Sequence, residues 1–559
     1  MKIKPLYIFI TTSALLAGCS KFSLNTKIDT YTTPETIATD RASLFEFANA
    51  FYVDIPNGFT VLDNNLFDAA SDDAQQTAKY STNAQVFNNG AINPNSINMS
   101  AGESFYKNMY DGIQAANYFL DYSVNAADFL KMNRDTVDDV INYTKDKLFI
   151  AWYRGEAHIA RAFYYAELIK RYGGVPIINS TLQQSDSINY HRSSYDDVVN
   201  YIVSEIDGYR DSLQQVDWKA SGYSDQNGRF TLGAALALKS RVLLEAASPL
   251  HNPGNDASKW QAAAAAAYDV INLNQYSLAG DYGNYFTSNN ASQSSETIFA
   301  KYMPTSSQQE TANYPISTPG GQSGVTPTQN LVDAYEYIGA ADPSNPYANR
   351  DPRLNATVVV NGSFWNGRTI DQSLGGSDDM TKANTSRTGY YLKKFLTDNL
   401  NLTQGGVAAH QWIIFRYAEI LLNYAEAMNE AYGPDVTNGY SLTARQALQM
   451  VRDRASGALP TITATSQSDF RTAVQHERRV ELAFEDFRYW DLLRWNQAAA
   501  ALNQPVRGVA VTKNSNGTTF NYSIVDVASR TFPNTMYYFP FYQGEITKSG
   551  GALQQNPGY

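Results

Sequence analysis

Residues 147–178 read KLFIAWYRGEAHIARAFYYAELIKRYGGVPII, and this stretch decides the fold. Its apolar side chains recur every three or four positions, at Leu148, Trp152, Ile159, Phe163, Ala166 and Ile169. That period predicts an amphipathic helix of about six turns within residues 147–172. Gly173-Gly174 supplies backbone that tolerates a positive φ and ends the helix, and Pro176 prevents the helix from resuming.

The same helical period recurs along much of the chain. It predicts further helices over 41–56, 103–122, 194–217, 229–247, 258–273, 411–431, 441–455 and 468–496. We expect the helices over 147–172 and 194–217 to form one pair, and those over 229–247 and 258–273 to form another. Small residues allow close packing, as in tetratricopeptide-type solenoids. Because the period is irregular, the residues alone predict only an all-α scaffold.

Two segments depart from this pattern. Residues 66–96 are rich in Asn, Ser, Ala and Asp, and Asn89-Gly90 is a turn signal, so we expect a long functional loop. In residues 276–408 the apolar period fades while Gly, Asn, Ser, Pro and Tyr increase. We expect an irregular insertion there, with a short strand at 357–360 followed by a turn at Asn361-Gly362.

Composition limits the classes of function. The chain has 559 residues and a net charge of −11, which disfavours nucleic acid, because phosphates need clustered Lys and Arg. No apolar run long enough to span a bilayer follows the N-terminal segment. The sequence contains no HExxH motif, no Cys/His metal spacing and no Walker-type phosphate loop, so we expect no cofactor and no metal.

The N-terminus has the pattern of an exported lipoprotein. Residues 1–18 combine a basic start with a short apolar run, which predicts a signal peptide. The run ends Leu-Ala-Gly before Cys19, which resembles a lipobox, and Cys19 is the single cysteine of the chain. We expect Cys19 to carry a lipid anchor and residues 19–40 to form a tether. The alternative is an ordinary signal peptide with an incidental cysteine.

Several spaced motifs carry a family resemblance. They are GEAHIARAFYYAEL (155–168), RYGGVP (171–176), DAASDD (68–73), FNNGAINP (87–94), RDPRL (350–354), FRYAEILL (415–422), VRDRA (451–455), ERRVELAFE (477–485), RYWDLLRW (488–495) and QNPGY (555–559). Their order and types resemble the SusD-like (RagB/SusD) family of Bacteroidetes outer-membrane nutrient-binding lipoproteins. The resemblance runs from the lipobox to the last residue.

The resemblance implies a mainly α fold, in which tetratricopeptide-like helix pairs form a right-handed superhelical scaffold with a loop-rich insertion and few short strands. It implies one SusD-like domain over 41–559, divided into 41–275, the insertion 276–408 and the C-terminal part 409–559. It further implies a non-catalytic, surface-exposed glycan-binding lipoprotein of the outer membrane. The implied partner is a SusC-like TonB-dependent transporter, which receives the captured oligosaccharide.

Sugar rings stack on aromatic side chains, and their hydroxyls bind amides and acids, so the candidate ligand residues lie in loops. First comes the Phe364-Trp365-Asn366-Gly367 segment; the other loop aromatics are Tyr282, Tyr285, Tyr314 and Tyr347, and a second group is Phe87, Asn88 and Asn89. Ile92 stands where the family often has Trp, so the ligand contact here must differ. Each loop aromatic could equally pin its own loop in place.

The charged residues of 477–491 recur at helical spacings, which predicts ion pairs with facing helices, for example with Arg416, Glu419 and Glu426. The alternative is that these charges bind ligand directly. For Arg154, His158 and Arg161 we expect pairing between helices or, as the alternative, a solvated face. Two other functions stay open. The same scaffold could take peptide cargo, or the protein could be a surface glycoside hydrolase, since two carboxylates suffice for that chemistry.

Overall fold

The computed structural model describes residues 41–77, 82–95, 104–132, 136–183, 191–454 and 459–559, so the predicted signal peptide, Cys19 and the tether lie outside the described residues. The helices are α1 Arg41–Asn49, α2 Thr82–Asn88, α3 Ser104–Tyr122, α4 Ala126–Met132, α5 Val140–Tyr172, α6 Tyr195–Tyr209, α7 Leu232–Ala247, α8 Ala257–Asn272, α9 Tyr282–Tyr285, α10 Asn290–Gln293, α11 Gln308–Asn313, α12 Gln329–Val332, α13 Arg353–Thr357, α14 Tyr417–Tyr432, α15 Ala444–Arg454, α16 Gln467–Glu481, α17 Arg488–Arg494, α18 Ala498–Leu502 and α19 Gln543–Lys548. The strands are β1 Ala74–Gln76, β2 Thr297–Tyr302, β3 Val325–Pro327, β4 Val358–Val359, β5 Phe364–Trp365, β6 Arg368–Thr369, β7 Tyr391–Leu392, β8 Gln411–Arg416, β9 Val506–Lys513 and β10 Phe520–Ala528.

Helix α5 is the predicted central helix. It spans 33 residues, starts seven residues before the predicted range and ends at Tyr172 as expected. Gly173 has φ 70°, and its N–H donates to the carbonyl of Ile169, which caps the helix. Most of the C-terminal two thirds of α5 is buried, because other helices pack on several of its sides.

The mainly α fold class is confirmed, and the two predicted helix pairs form. Helix α5 packs against α3 and α6, and α7 packs against α8. Helix α14 continues the stack by contacting α8, α15 and α16. Thr231 caps α7 as its sequence suggests, since its side chain accepts a hydrogen bond from the N–H of Ala234. None of the helices in the described part of the chain is both long and apolar enough to cross a bilayer.

The start of the predicted 411–431 helix is wrong. Residues 411–416 form strand β8, which pairs antiparallel with β2 and is buried along its whole length. Helix α14 begins only at Tyr417. The run Trp-Ile-Ile-Phe within β8 is aromatic and β-branched, and such residues favour a strand that is covered on both faces. The helical period of the whole stretch concealed this change.

The predicted 468–496 helix is in fact two helices. Helix α16 ends at Glu481 and α17 begins at Arg488. Between them, Phe484 and Asp486 have φ of 64° and 62°, in the left-handed region that interrupts a helix. The break places Glu485 next to β8, where Arg416 Nε donates to its carboxylate at 2.6 Å.

The predicted 66–96 loop also contains regular structure. Residues 67–70 form a 3₁₀ turn, and β1 pairs antiparallel with β3 of the insertion. Helix α2 lies within the same stretch. The insertion itself has the short elements expected of it, including the two-stranded pairs β4–β7 and β5–β6. The predicted strand at 357–360 is confirmed as β4, shortened to two residues.

Buried ion pairs connect the insertion to the C-terminal helices. Arg353 Nη1 donates to Glu477 at 2.5 Å and to Glu481 at 2.9 Å. Arg416 Nη1 donates to Glu481 and to Glu296, each at 2.7 Å. None of these side chains is more than 2% exposed. The prediction that these charges form ion pairs between elements is therefore confirmed.

The charges on α5 are paired as well. Arg161 Nη2 donates to Glu205 of α6 at 2.6 Å, and His158 Nδ1 lies 3.0 Å from the same carboxylate. Arg154 Nη1 donates to the carbonyl of Leu120 on α3 at 2.7 Å. The predicted pairing between helices is confirmed for Arg161 and His158 with Glu205, whereas Arg154 holds α5 to α3 through a carbonyl and the hydroxyl of Ser123.

Candidate functional site

The first-ranked candidate segment forms a short β-hairpin, in which two strands of two residues each are joined by a two-residue turn. Strands β5 and β6 pair Phe364 with Thr369 and Trp365 with Arg368. Asn366 and Gly367 make the turn between them, with φ of 53° and 73°. Two positive φ values are what the tight turn of such a hairpin needs, and Asn-Gly adopts them most easily. The turn presents the side chain of Phe364 to solvent, with 69% of the residue exposed.

Trp365 points the other way, because successive strand residues face opposite sides. Only 4% of it is exposed. Its ring meets Tyr314 edge to face with 6.3 Å between centroids, and Lys393 Nζ lies 5.4 Å from its centroid. The indole nitrogen Nε1 is buried and has no hydrogen-bond partner in the structure. Trp365 therefore packs the inner face of the hairpin against the protein, while Phe364 forms its outer, solvent-exposed face.

Polar contacts fix the position of the turn. The N–H of Asn366 donates to Asp398 Oδ1 at 2.8 Å, and Asn366 Oδ1 accepts from the N–H of Asn399 at 3.0 Å. Arg368 reaches both oxygens of Asp378, at 2.7 and 2.8 Å. Burial would raise the pKa of Asp378, but its hydrogen bonds, first of all from Arg368, hold that pKa below the usual value. The hairpin is thus anchored at its turn and at its return strand.

The other four loop tyrosines do not face solvent, which fits the alternative that such rings pin their own loops. Tyr282, Tyr285, Tyr314 and Tyr347 are each less than 8% exposed. Their hydroxyls bind within the protein: Tyr282 donates to the carbonyl of Glu481 at 2.9 Å, and Tyr285 lies 2.7 Å from Thr297 Oγ1. Buried tyrosines need such partners. The Tyr282 contact holds the insertion against α16, and the Tyr285 contact joins α9 to β2 within the insertion. Of the four, Tyr314 contacts the hairpin.

The second candidate group lies in and just after α2 and packs against the C-terminal segment. Phe87 is 4% exposed and contacts Phe539 edge to face at 5.4 Å. Asn88 is also buried, and its Nδ2 donates to the carbonyl of Ala69 at 3.1 Å. Asn89 is exposed. Ile92, at the position where the family often has Trp, is 5% exposed.

The residues of the hairpin site that were not predicted from sequence are Arg368, Asp378, Lys393, Asp398 and Asn399. Arg368 follows from the Asn-Gly turn, which places it opposite Trp365, so the turn motif contained a usable signal. Lys393 and Asp398 come from a separate loop, and no local pattern links that loop to the hairpin. Lys393 is half-buried, and burial lowers the pKa of its ammonium group while Asp398 partly compensates.

In the described residues no group of three or more His, Cys, Asp or Glu side chains is arranged to hold a metal ion.

Two sequence models of known protein families match this chain. Residues 284–559 match the model described as the SusD family. Residues 28–244 match the model described as starch-binding associating with outer membrane. The chain belongs to the SusD/RagB family. SusD-like protein P38 of Formosa agariphila is 26% identical over 380 residues, covering 64% of this chain and 69% of that protein.

Solved structures of SusD-like proteins share the fold. One from Bacteroides fragilis superposes with a TM-score of 0.76 at 26% identity, covering 94% of this chain and 98% of that chain. A SusD-like carbohydrate binding protein from the same species gives 0.72 at 23% identity, covering 92% and 100%. A laminarin binding SusD-like protein gives 0.63 at 21% identity, covering 93% and 99%.

Proposed function

We propose that this SusD-like protein is a non-catalytic, cell-surface lipoprotein that captures oligosaccharides and passes them to a SusC-like TonB-dependent transporter. The observation that carries the proposal is the exposed ring of Phe364 on a rigid hairpin of the family scaffold. A large ring held in solvent by a structured turn is suited to stacking on the C–H face of a sugar. The amide of Asn366 fixes the turn, since its Oδ1 accepts from Asn399 and its Nδ2 is buried. The exposed Asn89 of the second candidate group would offer an amide to sugar hydroxyls, and the hairpin is the primary site.

The comparisons support a glycan as cargo. One matched family description names starch binding at the outer membrane, and two structural neighbours are described as carbohydrate binding and laminarin binding. The sugars named in these descriptions are ligands of those proteins. For this chain the proposed ligand class is an oligosaccharide, because a ring on an open hairpin can contact one unit of a longer polymer.

The anchor and the hand-off complete the proposal. Cys19 would carry the lipid, and residues 19–40 would connect it to one domain formed by 41–559. A single cluster of buried apolar residues extends from Leu44 to Leu553, which supports that one domain. A lipid on the first mature residue would hold the protein at the outer membrane.

A glycan-panel pull-down tests the proposal. The protein, its Phe364→Ala variant and an Ile141→Ala control are incubated with immobilised oligosaccharides. Ile141 is a matched control because it is also a large exposed apolar residue, 81% exposed, but lies in α5. We expect retention without cleavage by the parent and by Ile141→Ala, and a loss of retention in Phe364→Ala.

The other functions give different results in the same experiment. New reducing ends would show a glycoside hydrolase. Retention of peptides in place of glycans would show a peptide carrier. Unchanged retention by Phe364→Ala would refute the hairpin as the site. For the anchor, Cys19→Ser in cells should abolish incorporation of labelled fatty acid and release the protein from the membrane fraction.

A further inference from the structure

The β5–β6 hairpin contains several hydrogen-bond donors that have no acceptor. Trp365 Nε1, Asn366 Nδ2 and Arg368 Nε are buried and have no hydrogen-bond partner. Within residues 364–369, no buried side-chain oxygen is left without a partner. Buried polar groups are nearly always paired, so unpaired groups of one kind in one hairpin need an explanation. The side-chain polar groups that the hairpin buries without a partner are therefore all donors.

Lys393 adds a positive charge to the same place. Its ammonium group lies 5.4 Å from the centroid of Trp365, and in the described part of the chain it makes no ion pair or side-chain hydrogen bond. Among the described residues neither nearby carboxylate forms an ion pair with Lys393, although the charge of Asp398 raises the pKa of the ammonium group. Both oxygens of Asp378 accept from Arg368, and Asp398 Oδ1 accepts from the backbone of Asn366. Among the residues that the structure describes, Lys393 is therefore the cation beside the hairpin that forms no ion pair, in a chain whose net charge is −11.

We propose that the glycan bound at the Phe364 hairpin is acidic, and that Lys393 binds its anionic substituent, either a uronic acid carboxylate or a sulfate ester. This inference rests on the proposed function, since it takes the hairpin as the glycan site. A compact ammonium group pairs well with either anion through a charge-assisted hydrogen bond. Lys393 thus determines which class of glycan is bound, and Phe364 supplies stacking that is independent of charge.

The geometry also sets a minimum ligand length. Phe364 and Trp365 project from opposite faces of β5, and Lys393 lies on the Trp365 side. One sugar unit cannot stack on Phe364 and reach Lys393 across the strand. The ligand must pass around the edge of the hairpin, with one unit on the ring and the acidic substituent of a neighbouring unit at the ammonium group. An acidic monosaccharide gains little from Lys393.

Matched pairs of oligosaccharides test this inference by calorimetric titration. One pair is tetragalacturonate and its methyl ester, which share a backbone and differ in charge. The other is a sulfated carrageenan tetrasaccharide and its desulfated form. Galacturonic acid monosaccharide tests the length requirement. The proteins are the parent, Lys393→Gln and Lys382→Gln, in which Lys382 is an exposed lysine of the same insertion.

We expect the parent to bind the acidic member of at least one pair about tenfold more tightly than its neutral partner, as one charge-assisted hydrogen bond provides. The preference should disappear in Lys393→Gln, persist in Lys382→Gln and weaken at high sodium chloride. The pair that shows the preference identifies the carboxylate or the sulfate as the anion.

Other results overturn the inference in distinguishable ways. If neutral and acidic members bind equally, or if Lys393→Gln keeps the preference, the inference fails while glycan binding stands. If the acidic monosaccharide shows the full preference, the spanning geometry is wrong. If the parent binds no member of either pair and no glycan of the panel, the proposed function fails together with the inference.

Discussion

Asp72 and Arg488 are 416 positions apart in sequence, yet Arg488 Nε donates to Asp72 Oδ1 at 2.8 Å. Arg488 Nη2 reaches the other carboxylate oxygen at 3.0 Å, so the pair is bidentate. Arg479 contacts Asp72 at 3.0 Å and Asp73 at 2.8 Å. The acids lie beside β1, and the arginines lie on α16 and α17. These contacts fasten the N-terminal and C-terminal parts of the chain to each other.

Breaking this pair should be costly. In Arg488→Met, buried Asp72 loses its bidentate partner and keeps the hydrogen bond from Arg479 and the nearby charge of Arg530, so we expect the free energy of unfolding to fall by about 3 kcal/mol. Arg445→Met is the control, since its partner Asp435 has 60% of its side chain exposed and such pairs contribute less than about 1 kcal/mol. Urea unfolding followed by circular dichroism measures both. Equal losses in the two variants would show that the Asp72 site does not hold the chain together.

Asp68 lies close to Asp72 in sequence, but the two carboxyl groups should make the free energy of unfolding depend on pH in opposite directions. Burial raises the pKa of Asp68 well above its usual value, and both of its carboxylate oxygens lack a hydrogen-bond partner. Because the pKa of Asp68 is higher in the folded than in the unfolded protein, its contribution to stability is present at low pH. That contribution is lost as the pH rises above the pKa of the unfolded state, about 3.9. We therefore expect Asp68→Asn to raise the free energy of unfolding at neutral pH, because the amide has no charge to lose on burial.

Asp72→Asn is the matched control with the opposite sign. Burial would raise the pKa of Asp72, but Arg479 and Arg488 more than offset this and hold it well below its usual range. Its contribution is therefore present above the unfolded pKa and is lost as the pH falls through the lower folded value. Denaturant unfolding from pH 2 to pH 8 compares the variants, because the Asp72 contribution changes below about pH 4 and the Asp68 contribution changes above it. If Asp68→Asn were destabilising at neutral pH, Asp68 would be charged and paired in the folded protein.

Helix α5 lies close to Ser212, just after α6, so a methyl group added at Gly155 should change the stability of the protein. A Cβ added at Gly155 would lie 2.7 Å from the backbone carbonyl oxygen of Ser212, which cannot move without shifting the chain. We expect Gly155→Ala to lower the free energy of unfolding by about 1–3 kcal/mol. Gly208 in α6 is the control, because an added Cβ there meets nothing within 4 Å. Gly208→Ala should raise stability by about 0.5–1 kcal/mol in the same thermal or urea measurement. A stabilising Gly155→Ala would mean that the two elements are farther apart.

The helical scaffold was predictable because its signal is local. The apolar period of α5 and the glycine at position 173 lie within one stretch of sequence, and they defined the end of the helix correctly. Strand β8 was not predictable in this way, because its partner β2 is more than a hundred residues away. The same holds for the buried tyrosines, since the composition of the insertion shows that it is irregular but not which of its rings face inward.

Two adjacent residues of the candidate site, Phe364 and Trp365, show most clearly that local sequence does not tell which side chains are buried. Alternation along a strand requires that Phe364 and Trp365 face opposite sides, and the Asn-Gly turn predicts the hairpin. Nothing in these four residues says which ring is covered. That depends on Tyr314 and Lys393, which belong to other segments and occupy the Trp365 side. The pattern thus located the hairpin, and the tertiary contacts decided which ring stays in solvent.

Alanine substitutions at these two positions should therefore have different consequences for stability. Trp365 is 4% exposed, so Trp365→Ala should lower the free energy of unfolding by about 3–5 kcal/mol. Phe364 is 69% exposed, so Phe364→Ala should change it by no more than about 0.5 kcal/mol. Both variants should lose glycan retention, Phe364→Ala because the stacking surface is gone and Trp365→Ala because the hairpin loses its support. Urea unfolding and the glycan panel, applied to the same preparations, separate the two causes. A Phe364→Ala variant as destabilised as Trp365→Ala would mean that the ring of Phe364 is packed inside the protein, and the hairpin would then have no exposed surface on which a sugar could stack.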